Sequence, residues 1–208
     1  IVMKYRVMSM SSSRERNNSV KVEIRTRATG SHPRYWLELH QVYRVFPDST
    51  IRVRNTIAVG TQVPELARVG LRFVLPEGFE NLLWFGRGPH ESYCDRKSGA
   101  AVCRHRGTVD QQYFPYVLPQ ETGNHTDVRW FALDNNDAGI LFVGGPLVEF
   151  SALHYTAHDL YRARHTNELT RRAETFVHID VRKRGLGGAS CGPGTLKKYR
   201  LEAGKYRL

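Results

Sequence analysis

Hydrophobic and polar residues alternate with a period of two over much of the chain. The clearest example runs from Val20 to Val59, where apolar residues take every second position in several runs, with turn residues at 29–31 and 46–49. Short alternating runs separated by turns are typical of antiparallel strands with one face in solvent. Residues 20–59 are therefore predicted to form consecutive antiparallel strands.

The rest of the chain continues the same pattern. Further strands are predicted at residues 69–75, 82–85, 113–118, 128–133, 139–143, 150–155, 175–181, 195–201 and 205–208. Only residues 157–163 have a helical pattern, behind Thr156 as a capping residue, and a second helical turn is expected near 167–172. Two polar stretches, 9–18 and 86–107, are predicted to be loops. The predicted fold class is all-β, as a large sandwich with one or two short helices.

The length of 208 residues allows one substantial domain or two small ones, and 40% of the residues are hydrophobic. No apolar run is long enough to cross a bilayer, and the N-terminal segment has no signal-peptide pattern. We therefore expect a soluble domain. Because residue 1 is Ile, we also expect the chain to begin inside a longer polypeptide.

The chain carries 31 Lys and Arg residues against 20 Asp and Glu residues, which gives a net charge of +11. Such an excess can mark a nucleic-acid-binding protein. Here, however, basic residues alternate along predicted strands, as at Arg25, Arg27, Arg52 and Arg54, and the dense run at 182–184 has no aromatic residues between its charges. We therefore expect no nucleic-acid partner, and a basic interaction domain is kept as an alternative.

Three cysteines, Cys94, Cys103 and Cys191, are widely spaced and form no Cys-x-x-Cys pair. Neither a zinc site nor a disulfide framework follows from this spacing. Reduced thiols are typical of cytoplasmic proteins, so the cytoplasm is the predicted location.

Common metal-binding and catalytic patterns are weak in this sequence. His154 and His158 have the spacing of two ligands on one helical face, with His165 as a further candidate, but His154 lies in a strand pattern. Ser151 and Ser190 lack the Gly-x-Ser-x-Gly motif of serine hydrolases. Composition and spacing therefore predict no metal site and no catalytic residue.

Four acidic residues and three arginines occur in two polar segments. A glycosidase needs two carboxylates at a fixed distance across the sugar, and nothing local in the sequence fixes such a distance. Each carboxylate has an Arg or Lys nearby in sequence, and buried charges are usually paired. We therefore predict structural, ion-paired roles for Arg87, Glu91, Asp95, Arg96, Glu121, Asp127 and Arg129.

Three segments carry a more specific signal: residues 84–96 (WFGRGPHESYCDR), 115–130 (PYVLPQETGNHTDVRW) and 185–193 (GLGGASCGP). In this order they resemble the C-terminal, small-chain domain of the large bacterial β-galactosidases of the lacZ type. Residues 64–70 (PELARVG) are similar to the family's Pro-x-x-x-Arg-x-Gly segment. The resemblance extends from residue 64 to residue 208 and links the chain to one domain of a much larger enzyme.

The resemblance implies a fold, an activity and partners. The fold is an antiparallel super-sandwich similar to that of galactose mutarotase, with residues 1–208 forming one domain whose first part is missing. The parent enzymes hydrolyse terminal β-D-galactosides such as lactose, using two glutamates and Mg and Na ions held mainly by a preceding (β/α)₈ domain. The small-chain domain closes one side of the galactoside pocket and supports homo-oligomer assembly. We therefore expect no catalytic residue, cofactor or metal ion in this chain, no membrane association, and no activity of the isolated fragment.

The resemblance also indicates which loop lies near the substrate. We expect the glycine-rich loop to approach the sugar through Gly187, Gly188, Ser190 and Cys191. Cys191 takes the place of a tryptophan that stacks on the sugar in the family, so this loop offers no large aromatic face. The alternative is a free-standing carbohydrate-binding or mutarotase-like module, in which His165 and Glu121 would act as acid and base.

Overall fold

In a computed structural model, the described part of the chain, residues 3–32, 34–188 and 192–208, folds mainly into antiparallel sheet. Its strands are β1 (Lys4–Arg14), β2 (Val20–Thr29), β3 (Trp36–Val45), β4 (Ile51–Val59), β5 (Arg68–Leu75), β6 (Asn81–Gly88), β7 (Ala101–Thr108), β8 (His125–Asp134), β9 (Gly139–Leu153), β10 (Thr175–Lys183) and β11 (Lys205–Arg207). The α-helix α1 (Ala157–Arg162) and short 3₁₀ turns at Asp110–Gln112, Thr166–Glu168 and Lys197–Tyr199 complete the regular structure. The predicted all-β class is confirmed. Within the described ranges, none of the helices combines the length and apolar character that a membrane crossing requires.

Contacts within the chain divide it into two compact units. The first unit, residues 1–69 and 200–208, contains a five-stranded sheet with the strand order β1-β2-β3-β4-β11. The second unit, residues 70–199, contains a six-stranded sheet with the order β5-β10-β9-β8-β6-β7. Two antiparallel sheets fit the predicted sandwich class. The likeness to galactose mutarotase and the assignment of the whole chain to one domain stay predictions.

The core of the first unit follows from the alternation along its strands. Leu37 lies opposite Val59, and Leu39 lies opposite Ile57, so these four side chains share one face of the sheet. They pack together with Leu201 from the C-terminal part of the unit. The period of two therefore sorts the apolar residues onto the face that forms the core.

The core of the second unit is built around stacked aromatic rings. Phe131 on β8 stacks on Phe150 on β9, with ring centroids 4.2 Å apart and an interplanar angle of 7°. Trp84 on β6 meets Phe150 edge-on at 6.2 Å. Burial of each large apolar side chain stabilises the fold by roughly 1.5–3 kcal/mol. This stack fixes β6, β8 and β9, the strands from which two of the conspicuous sequence segments emerge.

Two predicted loops contain strands. Residues 9–14, inside the predicted loop 9–18, belong to β1, which pairs with β2 from Lys4 to Arg14 and is exposed at every position. Residues 101–108, within or next to the predicted loop 86–107, form β7, which pairs with β6. Both are edge strands held by backbone hydrogen bonds to one neighbour rather than by burial, so a hydrophobic pattern does not reveal them.

Two predicted strands are wrong. Residues 113–118 form a loop, because Pro115 lacks a backbone N–H and the Tyr116 N–H donates to the nearby Phe114 carbonyl instead of a neighbouring strand. Residues 195–201 contain a 3₁₀ turn in which the Tyr199 N–H donates to Leu196 O at 2.9 Å. In both segments, local hydrogen bonds replace strand pairing.

Helix α1 begins with a capping box, which confirms the predicted cap at Thr156. The Thr156 hydroxyl accepts from the Asp159 N–H (3.1 Å), and the Asp159 carboxylate accepts from the Thr156 N–H (2.9 Å). Arg172 donates to both oxygens of the same carboxylate, at 2.7 and 2.8 Å. This charged contact holds the pKa of Asp159 well below its usual range. A single carboxylate therefore starts the helix and ties it to the segment before β10.

Gly70 on β5 is a position where the structure leaves no room for a side chain. A Cβ atom there would lie 2.1 Å from the Ile179 carbonyl oxygen and 2.6 Å from the Asp180 Cα on β10. We expect Gly70→Ala to lower the free energy of unfolding by about 1–3 kcal/mol, because backbone atoms must move to admit the methyl group. Urea unfolding followed by tryptophan fluorescence measures this change. Gly194→Ala, where the Cβ would meet open space, is the matched control. Equal stability of the two variants would contradict the expectation.

Candidate functional site

The three sequence segments singled out above meet in the second unit. The segment 84–96 runs along β6 and leaves the sheet at Gly88, after which its side chains reach the other two segments. Glu91 contacts the segment 115–130, and Asp95 contacts the loop that follows β10. The residues between Gly88 and Arg96 therefore form the centre of the candidate site.

Glu91 is the most heavily bonded carboxylate in this centre. Its side chain is only 12% exposed. Its Oε2 accepts hydrogen bonds from the Gly123 N–H at 2.7 Å and from the Thr122 hydroxyl at 3.2 Å, while its Oε1 accepts from Arg96 and from the Tyr116 hydroxyl. Charged and neutral donors thus surround both oxygens, which fixes the side chain in one position.

Two tyrosines near Glu91 act as hydrogen-bond donors. Tyr93 is fully buried beneath the Arg96 guanidinium, which lies 5.1 Å from the ring centroid, and its hydroxyl donates to Glu91 at 3.2 Å. Burial raises the pKa of Tyr93 well above its usual value. Burial, together with the hydrogen bond to Glu91, also raises the pKa of Tyr116. Both phenols therefore stay protonated at neutral pH and hold the carboxylate rather than exchange protons with it.

A second ionic group lies next to the first. Asp127 accepts from Arg87 Nε at 2.5 Å and from Lys97 Nζ at 2.7 Å. Arg87 also donates to the carbonyl oxygen of Ala100 at 2.8 Å, which fastens the turn before β7. Burial works against ionisation, but the hydrogen bonds from Lys97 and Arg87 prevail and lower the pKa of Asp127. The group thus joins β6, the turn at 97–100 and β8.

Asp95 has a different partner from the one expected. Its carboxylate accepts from the backbone N–H groups of Leu186 (3.2 Å) and Gly187 (2.8 Å) rather than from an arginine. Gly185 packs against this carboxylate so closely that a Cβ atom would lie 2.6 Å from Asp95 Cγ. Gly187 adopts a φ of +68°, in the left-handed region that favours glycine. Gly185 is therefore required by contact with Asp95, and Gly187 by the backbone turn.

The structure places the remaining predicted site residues as follows. Arg129 donates to the backbone carbonyl of Asp127 at 2.6 Å and lies 5.1 Å over the Phe85 ring, so it binds no carboxylate of the set. Glu121 accepts from the buried ammonium group of Lys183. The N–H of Gly188 donates to Pro193 O at 3.2 Å, which closes the base of the glycine-rich loop. Ser190 and Cys191 lie outside the described residues.

A cleft of about 360 Å³ opens beside Glu91. One wall comes from the residues after β6, including Pro89, His90 and Arg96, and the other from the segment 111–116. The floor includes His125, which is 1% exposed. Sequence reasoning missed Phe114 on the second wall because it predicted a strand there; the nearby prolines were the available sign of a loop.

His125 is a buried neutral histidine. Its ring stacks on Phe150 with centroids 5.1 Å apart and lies 4.6 Å from the Trp84 ring. Nδ1 donates to the Arg87 carbonyl at 3.0 Å, and Nε2 lies 2.8 Å from the side-chain amide of Gln112. Burial lowers the pKa of His125 to about 4. The ring therefore carries no charge at neutral pH and connects β6 to the cleft.

The histidine candidates for a metal site have other partners. His154 Nε2 lies 2.9 Å from Glu80 and 3.8 Å from Asp110, and the three groups could share an ion by their spacing. The guanidinium of Arg171 lies among them, 2.9 Å from His154 Nε2 and 2.9 Å from Asp110. Arg171 thus supplies the positive charge that an ion would otherwise bring to Glu80 and Asp110. His158, predicted at ligand spacing, is exposed on α1.

His165 and Glu121, the acid and base of the mutarotase-like alternative, are bound to different partners. His165 Nδ1 lies 2.8 Å from the Glu168 carboxylate within one short turn. Glu121 binds Lys183, as described above. Each member therefore has its own local partner, and the geometry offers no support for joint action on one sugar.

Comparison with known proteins agrees with the sequence segments. A family model described as beta galactosidase small chain matches residues 2–208. The chain is 37% identical over 147 residues to a protein named beta-galactosidase from Priestia megaterium, which covers 70% of the chain and 14% of that protein. It is 38% identical over 174 residues to a beta-galactosidase from Halalkalibacterium halodurans, covering 80% and 17%. A beta-galactosidase from Kluyveromyces lactis is 29% identical over 204 residues, covering 97% and 20%. The chain thus spans a fifth or less of the length of these relatives.

The Asp95 carboxylate is expected to hold the glycine-rich loop in place. Asp95→Ala removes the acceptor of two backbone N–H groups, so amide exchange at Leu186 and Gly187 should accelerate by about tenfold. Hydrogen–deuterium exchange of peptides that cover residues 185–188 measures the effect. Asp137→Ala, in the exposed turn before β9, is the control. Unchanged exchange in the Asp95 variant would show that the loop is held by other contacts.

Burial of neutral His125 makes stability depend on pH. The pKa is about 4 in the folded chain and about 6.5 in an unfolded one, so the unfolded state binds more protons between these values. The contribution of His125, at most about 3 kcal/mol, is complete above pH 6.5 and is lost as the pH falls through 4.

Urea unfolding at pH 7 and pH 4.5 tests this dependence. The His125→Asn variant should lose stability at pH 7 and should show a smaller difference between the two pH values than the unsubstituted chain. His158→Asn, at an exposed position, should leave the difference unchanged. A pH dependence that survives in His125→Asn would assign it to another group.

Proposed function

The chain belongs to the beta-galactosidase small-chain family, and we propose that it is the C-terminal domain of a glycoside hydrolase that cleaves terminal β-D-galactosides such as lactose. The family model extends over nearly the whole chain, while the chain covers only 14–20% of three relatives named beta-galactosidase. The domain is therefore one part of a larger enzyme, and the remainder of that enzyme is proposed to contain the catalytic (β/α)₈ domain.

One observation supports assigning catalysis to the neighbouring domain. A glycosidase needs two carboxylates that flank the scissile bond and stay free to protonate or attack the sugar. In the described part of this chain, the four carboxylates of the motif segments are already engaged: Glu91 by phenols, an arginine and backbone, Asp127 by Lys97 and Arg87, Asp95 by two backbone N–H groups, and Glu121 by Lys183. Groups saturated in this way stabilise loops and are poorly suited to chemistry on a substrate.

The role proposed for this domain is to close one side of the galactoside pocket and to support assembly. The loop at Gly185–Gly188 is fastened at its base by Asp95 and Pro193, as a rigid wall next to a substrate would require. The proposed partners are the preceding domain of the same polypeptide, further copies in a homo-oligomer, and the β-galactoside. The Mg and Na ions of the parent enzyme would be bound outside this chain, and the proposed location is the cytoplasm.

An activity assay separates this domain from the parent enzyme. The 208-residue chain, shown to be folded by its far-UV circular dichroism, should release no o-nitrophenol from o-nitrophenyl β-D-galactoside above the buffer rate. A polypeptide that also contains the preceding domain should release it about a millionfold faster than buffer, which is the lower end of typical enzymatic accelerations. Turnover by the isolated chain would refute the assignment of catalysis to another domain. Lack of turnover by the longer polypeptide would refute the proposed substrate.

A further inference from the structure

We propose that the cleft beside Glu91 binds an uncharged pyranoside, with the Phe114 ring stacking on the sugar. This cleft, called the Phe114 cleft below, lies between residues 89–100 and 111–116. The choice of a β-galactoside as its ligand rests on the proposed function, whereas the class of ligand follows from the cleft itself. No role in binding was expected for these residues from the sequence.

The walls of the Phe114 cleft are held rigidly before any ligand arrives. Glu91 accepts hydrogen bonds from Arg96 and from Tyr116, and Arg96 also donates to the Tyr116 hydroxyl at 3.1 Å, so the two walls are joined at this end. The Phe114 N–H donates to the Thr122 hydroxyl at 3.0 Å, and that hydroxyl donates onward to Glu91. The wall formed by residues 111–116 is therefore fixed through both its backbone and its side chains. Ligand binding then needs little further ordering of the protein.

The opposite end of the cleft is fastened in the same manner. Arg87 donates to the carbonyl oxygens of Ala100 (2.8 Å) and Lys97 (3.2 Å), and its Nε binds Asp127. The turn that places Gly99 and Ala100 in the lining is thus held by a half-buried ionic group. The ion pairs of the sequence motifs therefore have a common effect, which is to frame one preformed cleft.

The charges in the lining favour an uncharged ligand. Glu91 and Arg96 are the formally charged groups of the lining at neutral pH, and they bind each other. Because their charges cancel, neither a cation nor an anion gains from entering. His125 in the floor is neutral, as shown above. A polyol such as a sugar matches a site that offers hydrogen bonds without net charge.

Phe114 provides the apolar surface that a sugar ring needs. Its side chain is 56% exposed although it lines a concave site, and its ring lies 4.7 Å from the Tyr116 ring at an angle of 56°. An aromatic ring contributes to binding through the large apolar area that it can bury, here against the C–H face of a pyranose ring. His90 and Gln111, which also line the cleft, carry donor and acceptor atoms suited to hydroxyl groups.

The size of the cleft agrees with this assignment. Its volume of about 360 Å³ lies near the lower end of the range of small-molecule sites, roughly 300–1,000 Å³. One or two pyranose rings are ligands of that scale. The cleft would therefore give this domain a direct contact with a galactoside, independent of the glycine-rich loop.

Binding of methyl β-D-galactopyranoside to the 208-residue chain tests the inference. Saturation-transfer NMR and a titration followed by chemical shifts should detect binding to the unsubstituted chain. Phe114→Ala should weaken this binding by about tenfold, because the stacking face is lost. Val117→Ala is the matched control: it lies in the same segment, is 94% exposed and does not line the cleft, so its affinity should be unchanged. Phe114→Trp, which keeps an aromatic face, should retain binding.

Three results would overturn the inference. They are absence of binding to the folded chain, equal affinity of Phe114→Ala and the unsubstituted chain, and tighter binding of the anion galacturonate than of the neutral glycoside. Thermal unfolding of each variant excludes loss of fold as the cause. Hydrolysis by the longer polypeptide is measured separately, so failure of the cleft to bind sugar is distinguishable from failure of the proposed function.

Discussion

The second unit depends on one saturated carboxylate. Glu91 leaves β6 on a short loop, and its two oxygens accept from the segment 115–130 through a backbone N–H, a threonine and a tyrosine, and from Arg96 of its own loop. A buried carboxylate without such donors would be costly, so the loops can adopt only arrangements that supply them. Because burying the Glu91 carboxylate is costly without these donors, it holds segments that are far apart in sequence in one arrangement.

The same principle explains why the conspicuous motifs contain both charges and glycines. Asp95 needs backbone N–H groups, and those groups approach it only because Gly185 has no Cβ and Gly187 adopts a left-handed conformation. Asp127 likewise joins Arg87 and Lys97 from different elements. The carboxylates therefore bind loops that are distant in sequence, and the glycines allow such a loop to come close enough to be bound.

The sequence predicts the sheets well where burial shapes the pattern. β3 and β4 alternate because Leu37, Leu39, Ile57 and Val59 share the core face. The edge strand β1 is held by backbone hydrogen bonds alone, and a hydrophobic pattern contains no trace of them.

At the candidate site, sequence identifies the charged residues but cannot pair them. The partners of Asp95, Glu121 and Arg129 depend on which segments the fold brings together, and near neighbours in sequence are a poor guide to that.

An unpaired edge such as that of β1 is a ready template for strand addition between molecules. Lys4, Arg6 and Arg14 place like charges along it, so two copies aligned edge to edge repel each other. β1 also exposes apolar side chains, including Tyr5, Val7 and Met10, so the basic residues between them are what discourages fibre-like self-association.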